Sequence, residues 1–523
     1  MLSRLDAAQL KADAPLFTGP NWDFGSLRRV YEAIERIAVD DLGLDIYPVQ
    51  IEVITSEQML DAYASVGLPL MYRHWSFGKR FAYHETLYRK GLQGLAYEIV
   101  INSNPCICYI MEENSMTMQT LVLAHAAFGH NHFFKNNYLF RQWTDAGGIL
   151  DYLAFARDYV TKCEEKYGLE AVERVLDAAH ALKEHGVNRY AHRSKPNLAE
   201  ERQRAEDRRA YEEQTYNDLW RTVPNLNKGE DELDESDKAE GEAARGKLGL
   251  PEENILYFIE KRAPRLAEWQ RELIRIVRNV SQYFYPQKQL QMMNEGCATF
   301  VHYEIMNRMH DRGLITEGSM LEFLHSHSSV VFQPGFDDPR FSGINPYALG
   351  FAMMSDIQRI CDDPTEEDQA WFPEIAGCRD AYRVLRDAWA NYRDESFILQ
   401  YMSPEVIRKF RLFQIADDSG KPALRVEAIH DELGYRKVRS ALSRQYDLSR
   451  REPDVQVVDV DLTGDRTLVL AHYVHDGVLL DEKTCRSVLR YATYLWGYSV
   501  KLLEIEAATD KVLKTFESAP DGK

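Results

Sequence analysis

The chain is short of several things, and each shortage closes off a class of function. No run of eighteen apolar residues occurs along its 523 positions, so no segment has the length that a membrane-spanning helix requires. No basic stretch followed by an apolar one opens the sequence in the manner of a secretory signal. Positive charge is outnumbered, with 63 Lys and Arg against 82 Asp and Glu and a formal net charge of −19. An acidic surface of that kind attracts neither nucleic acid nor anionic lipid, so neither partner is expected. Cysteines number only seven, Cys106, Cys108, Cys163, Cys297, Cys361, Cys378 and Cys485. They are odd in number and irregularly spaced, which argues against a disulfide framework and fits a reducing compartment. The expectation is a soluble cytoplasmic protein with no membrane insertion. At this length it should hold more than one domain, because single cores rarely grow past about 250–300 residues.

The densest chemistry lies at Leu121 to Phe140, LVLAHAAFGHNHFFKNNYLF. Apolar residues at Leu121, Val122, Ala124, Phe128 and Phe134 predict a helix with one face in a core, from which His125, His130 and His132 project. Neutral imidazole is a common metal ligand, and a rigid helix holds such ligands well. On a regular α-helix His125 and His132 share a face but stand about 10.5 Å apart along the axis, too far for one ion. In the zincin pattern, H-E-x-x-H, two ligands stand four residues apart with a glutamate between them as general base. That glutamate is missing here: Ala126 takes the base position and Gly129 the second ligand position. A π-bulge at Phe128-Gly129 would bring His130 onto the His125 face. His125 and His130 are read as a candidate metal pair, with a core or helix-terminal hydrogen-bonding role for His130 or His132 as the alternative.

A second helix is predicted over MNEGCATFVHYEIMNRMHDRG, Met293 to Gly313. It places Glu295, Thr299 and His302 on nearly one stripe. A carboxylate and an imidazole on an otherwise apolar helix are costly unless paired or metal-bound. Glu295 is therefore expected within reach of His125 as a third ligand, and His302 or His132 as a further ligand or acid/base group. The competing reading is a polar interior network in which Glu295 and His302 bond to neighbours. With Ala126 unable to act as a base, Glu98 and Glu304 are the substitutes. His327, near the end of the next helix, is read as interacting with that helix terminus, with a role as a further ligand as the alternative. His74, Trp75, Lys79 and Arg80, in GLPLMYRHWSFGKRF, are read as an aromatic loop packed on a core, with an anionic ligand's pocket as the alternative.

Elsewhere the pattern reads as an amphipathic helix over 22–43, a strand over 47–54, a hairpin over 96–111 turning at Asn102-Ser103-Asn104-Pro105, and a long helical run over 150–184. Residues 227–247, NKGEDELDESDKAEGEAARGK with their almost complete lack of apolar side chains, read as a disordered acidic insertion. After Lys421 the order strand, helix, strand, strand, helix, strand predicts a separate ferredoxin-like domain. The expected division is 1–226 and 248–420 for a mainly helical α+β, zincin-like main domain, with 421–523 as the βαββαβ C-terminal domain.

The stretches YRHWSFGKRF (72–81), YEIVINSNP (97–105), AHAAFGHNHFFKNN (124–137), LYFIEKRAPRLAEWQRE (256–272), MNEGCATFVHYEIMN (293–307) and INPYALGF (344–351) together resemble the SpoVR family over almost the whole chain. The resemblance implies a bacterial cytoplasmic protein tied to spore-cortex formation in spore formers and to stationary-phase or stress physiology elsewhere. It also implies a functional association with a PrkA-type serine kinase and the companion protein usually encoded beside it. It implies no defined reaction. The N-E-G-x-A and G-H elements are similar to pieces of zincin peptidases, from which the chain departs at Ala126.

Two functional expectations follow. One is a metal-dependent hydrolase with zinc held by His125, His130, Glu295 and His302, and with Glu295, His132 or His302 in catalytic roles. The other is a non-enzymatic regulatory or scaffolding partner of the kinase, in which the same His/Glu set is structural and the acidic segment and C-terminal domain are contact surfaces.

Overall fold

A computed structural model describes residues 14–64, 71–89, 98–189, 250–416, 425–428, 430–462, 464–475 and 477–520. The acidic segment 227–247 lies outside the described residues. The architecture is mixed α+β and mainly helical, and the chain divides into two compact units. One joins Met1–Asp158 to Pro286–Arg451; the other joins Tyr159–Tyr285 to Glu452–Lys523. No helix among the described residues is long and apolar enough to cross a membrane.

The first unit carries a three-stranded sheet of β1 (Val49–Ile54), β2 (Glu98–Ile101) and β3 (Cys106–Met111) in the order β1-β3-β2. β3 is central, parallel to β1 and antiparallel to β2, and its Cys106, Cys108 and Ile110 are fully buried. The Cys106/Cys108 pair is thus strand packing, and the turn at 102–105 leaves β2 at one edge. The histidine segment follows at once. Ser115 caps its first helix, Met116–Val122, by accepting the Met118 N–H at 3.1 Å, and Leu123–His130 continues it as a π-helix. Every residue from Leu123 to Phe134 is buried. Asn137 ends the run, its amide donating to the Trp389 carbonyl at 2.7 Å and accepting the Leu139 N–H at 3.0 Å.

Three further helices surround this element. The Gln291–Asp311 helix begins where both oxygens of the buried Asp394 accept backbone N–H groups, Met292 at 2.8 Å and Met293 at 2.9 Å. The Glu317–Val330 helix is capped by Thr316 and the Pro346–Asp362 helix by Asn345. Glycines set their separations. A Cβ on Gly129 would lie 2.6 Å from the Ala298 Cα, and one on Gly296 would lie 2.6 Å from the Gly350 Cα. The glycines of FGH, NEG and YALG are therefore points of backbone contact between helices.

Two expectations about this unit change. The Trp75–Arg89 segment is a helix rather than a loop, with His74 at its start accepting or sharing a hydrogen bond with Ser76 at 2.7 Å. The strands β4 (Gln414–Ala416) and β5 (Arg425–Ala428) pair antiparallel, and they and the Glu432–Tyr446 helix belong here rather than to a C-terminal domain.

The second unit holds the sheet β6 (Asp454–Val460), β7 (Leu468–Val474), β8 (Val500–Glu506) and β9 (Lys511–Ser518), in that spatial order. β7 and β8 are parallel, joined through the Glu482–Trp496 helix, and the outer pairs are antiparallel. This is ββαββ, not the expected ferredoxin-like βαββαβ: the first predicted strand and helix pack elsewhere, and β9 supplies an edge that the sequence pattern does not reveal. The expected long helix over 150–184 is two, Ile149–Tyr167 and Leu169–Ala181, broken at Gly168 with φ +87°. In the Ile255–Arg262 helix the buried Glu260 meets Lys261 at 2.5 Å and both Arg275 and Arg278 at 3.1 Å. Burial pushes its carboxyl up, but the three cations win and hold it at about 2.

Candidate metal centre

The π-helix decides the geometry of the histidines. Widening the turn brings residues five apart onto one face, so the rings of His125 and His130 meet edge to face with centroids 4.6 Å apart. The stripe on the Gln291–Asp311 helix then brings Glu295 opposite them. Its Oε2 lies 3.6 Å from His130 Nε2 and 3.9 Å from His125 Nε2. Those three side chains offer ligand atoms that all lie within 4.8 Å of one another. Glu98, the first residue of edge strand β2, arrives from a third direction, with its Oε1 3.8 Å from His125 Nε2.

The opposite nitrogens of the two imidazoles are held from behind. His130 Nδ1 donates to Asn294 Oδ1 at 2.9 Å, which orients its Nε2 toward Glu295. His125 Nδ1 is hydrogen-bonded to His302 Nδ1 at 2.9 Å, and His302 Nε2 to His327 Nδ1 at 3.0 Å. Both His302 nitrogens are thereby occupied. It stands behind His125, not beside the ligand atoms, so its expected role as a ligand gives way to that of a supporting group.

Burial dominates the electrostatics. It holds His125 far below the usual imidazole range, with the neighbouring His130 and His302 adding to the effect. His302 is held down by burial and by His327, and burial puts His327 at about 4. His125, His302 and His327 are thus neutral at pH 7. Burial raises Glu98, and the Glu295 charge pushes it further, to about 8. The Glu295 Oε2 atom is buried and has no hydrogen-bond partner. A buried, unpaired carboxylate oxygen is costly. The two imidazole nitrogens beside it, at 3.6 and 3.9 Å, stand beyond hydrogen-bond distance, whereas a cation between them would engage all three. The two Glu295–imidazole separations, 3.6 and 3.9 Å, are close to the spacing of ligands around one ion. The donor set of two nitrogens and a carboxylate, with a second carboxylate adjacent, fits a divalent ion.

His132 takes no part. Its Nδ1 accepts the Asp45 N–H at 3.0 Å, and its ring lies edge-on to Trp389 at 5.6 Å. The π-turn rotates it off the face it would share with His125 on an α-helix. Glu304 is bound to Tyr382 and Arg308, and His74 and Trp75 belong to the start of a separate helix. Glu98, one of the two substitutes for the missing base, is at the cluster. Asn294, which directly precedes Glu295, is a partner that the sequence did not single out, and His327, read there as a helix-terminal histidine, instead backs His302 from the next helix.

The family model described as SpoVR like protein matches residues 21–451, and the one described as SpoVR-like C-terminal domain matches residues 453–507. The second match begins within one residue of the break between the first unit and the C-terminal strands. The chain is 56% identical over 487 residues to the uncharacterized protein YcgB of Escherichia coli (strain K12), covering 93% of each. No solved structure matches it.

Proposed function

The chain belongs to the SpoVR family, and from that premise and the cluster's geometry we propose that it is a metal-dependent hydrolase in which His125, His130 and Glu295 hold a divalent ion, zinc. The observation that carries the reading is the buried Glu295 oxygen with no hydrogen-bond partner, facing two imidazole nitrogens whose far sides are already engaged. A bound zinc ion supplies a water with a pKa lowered toward about 7 and polarises the bond to be broken. The chain's own groups do the rest. Asn294 fixes the ring of His130, and His302 backed by His327 fixes that of His125. Glu98 replaces the glutamate missing at Ala126 and exchanges a proton at the face of His125 Nε2. The substrate class proposed is an amide or related bond in a peptide or cell-wall polymer, on a zincin-like scaffold.

Cytoplasmic action in spore-cortex formation or in stationary-phase and stress physiology, with a PrkA-type kinase and its companion protein, is the cellular setting we attach to this activity. It rests on the family resemblance alone. Metal analysis of the purified chain tests the chemistry. The expected result is one zinc per chain, lost in His125→Ala and in Glu295→Gln while both variants stay folded. A fully folded chain that takes up no divalent metal would overturn it and favour the regulatory or scaffolding role.

A further inference from the structure

Two thiols outside the histidine cluster lie side by side. Cys361 is the penultimate residue of the Pro346–Asp362 helix, and Cys378 sits in the turn before the Ala381–Asn391 helix. Two backbone hydrogen bonds bracket the pair: the Gly377 N–H donates to the Ile360 carbonyl at 3.0 Å, and the Arg379 N–H donates to the Cys361 carbonyl at 2.9 Å. The turn is tied again by the Cys378 N–H, which donates to the Ile375 carbonyl at 3.1 Å. Gly377 and Arg379 both hold left-handed backbone, φ +72° and +56°. That conformation is natural for the glycine and is imposed on the arginine by the bracketing bonds. The Cys378 thiol stands close enough to Cys361 to raise its pKa. Cys361 is fully buried, and Cys378 is partly exposed.

We infer that Cys361 and Cys378 form a redox-sensitive dithiol that hydrogen peroxide converts into an intramolecular disulfide. A disulfide spans Cα atoms roughly 4.4–6.8 Å apart, and the two backbone bonds tie the residues on either side of Cys378 to Cys361 and the residue before it. The order of events follows from exposure. The Cys378 thiolate attacks a peroxide oxygen, the O–O bond breaks, and hydroxide leaves and is protonated to water, so that Cys378 becomes a sulfenic acid. The Cys361 sulfur then attacks the Cys378 sulfur and loses its proton, the S–O bond breaks, and a second water departs. Two thiols and one peroxide give one disulfide and two waters. Burial, with Cys378 beside it, pushes the Cys361 thiol up to about 12. It therefore stays protonated and serves as the resolving rather than the attacking group. Cys106 and Cys108 are likewise near neighbours, two residues apart on β3. Both are completely buried on one strand, however, which keeps peroxide away from them. The disulfide would pin the end of the helix whose first turn carries Tyr347, stacked beside His125 with centroids 6.5 Å apart.

The test is peptide mapping without reduction, on the full chain, after peroxide treatment and alkylation. The expected result is a single new cross-link between the Cys361 and Cys378 peptides, reversed by a dithiol reductant, and a loss of two titratable thiols. In Cys361→Ser, Cys378 should stop at the sulfenic acid and be captured by dimedone. Over-oxidation of Cys378 in the unmodified chain with Cys361 still alkylatable after unfolding would overturn the inference, and so would a cross-link at Cys106–Cys108 in its place.

Discussion

His125 and His302 are 177 residues apart in sequence, yet their Nδ1 atoms lie 2.9 Å from each other inside the first unit. One ring donates and the other accepts, so the bond selects a tautomer of His125 and aims its Nε2 at Glu295. His302→Gln is expected to lower zinc affinity by about 10–100-fold, the usual range for loss of an outer-shell partner. Competition against a chromophoric chelator measures it. Unchanged affinity would show that the His125 ring is positioned by packing alone.

Glu98 makes a proton count the second test. With its carboxyl at about 8, Glu98 is mostly protonated at pH 7 in the metal-free chain. A cation beside it stabilises the charged form, so binding should expel on the order of one proton. Calorimetry at pH 7 in buffers of different ionisation enthalpy reads the number directly. Glu98→Gln should abolish the release while leaving His125, His130 and Glu295 to bind. Release that persists in the variant would move the proton to another group.

Asp394 gives a pH dependence with a definite sign. Burial raises its carboxyl from the ordinary 3.8 to about 8, against the pull of the Met292 and Met293 N–H groups. Between those two values the folded chain holds the proton that the unfolded chain has already lost. Stability from this group is thus present below about pH 4 and is lost as pH rises toward 8. Urea midpoints of the metal-free chain and of Asp394→Asn should shift in favour of the variant across that window. Parallel curves would contradict the assignment.

Gly296→Ala should destabilise the first unit by about 1–3 kcal/mol, because the new methyl has no room to form. Its Cβ would lie 2.6 Å from the Gly350 Cα, which is backbone and cannot swing away. Gly19→Ala, with nothing within 4 Å, is the control, expected to stay within about 0.5 kcal/mol. Thermal denaturation separates the two. Equal effects would mean the helices part freely.

The C-terminal strands should not fold alone. The Glu482–Trp496 helix packs on the Leu169–Ala181 helix, and Trp496 stacks on Phe258 with ring centroids 6.0 Å apart. A fragment over 421–523 loses both partners and exposes Leu489, Leu495 and Trp496, which are buried in the unit. Circular dichroism of that fragment is expected to lack the cooperative transition of the full chain. A cooperative transition there would return the strands to an independent domain.

Much of the site was legible in the sequence because helical periodicity is local. The Glu295, Thr299 and His302 stripe, the buried histidine helix and its widened turn at Phe128-Gly129 can all be read from spacing and from the cost of burying polar groups. Pairing across long separations cannot. His132 shares a face with His125 only on an α-helix, and the π-turn sends it to Asp45. His302 looked like a ligand because its far partner, His327, sits on another helix. The assignment of β5 to the first unit, and the parallel β7–β8 pair, depend on tertiary contacts that no alternation of residues encodes.

The widened turn also bears on how such a centre is searched for. An α-helix presents residues four apart to one ion, and a π-turn presents residues five apart, so H-x-x-x-H and the H-A-A-F-G-H of this chain are the same presentation offset by a single inserted residue. Deleting Phe128 would put the two histidines four apart and let the segment relax to an α-helix, but everything after it would turn by about 100°. Asn131, His132 and Asn137, whose bonds to Tyr47, Asp45 and Trp389 anchor the segment, would then lose their partners. The extra residue is therefore locked in from both sides, and a pattern search that fixes the histidine spacing at four will pass over every chain built this way.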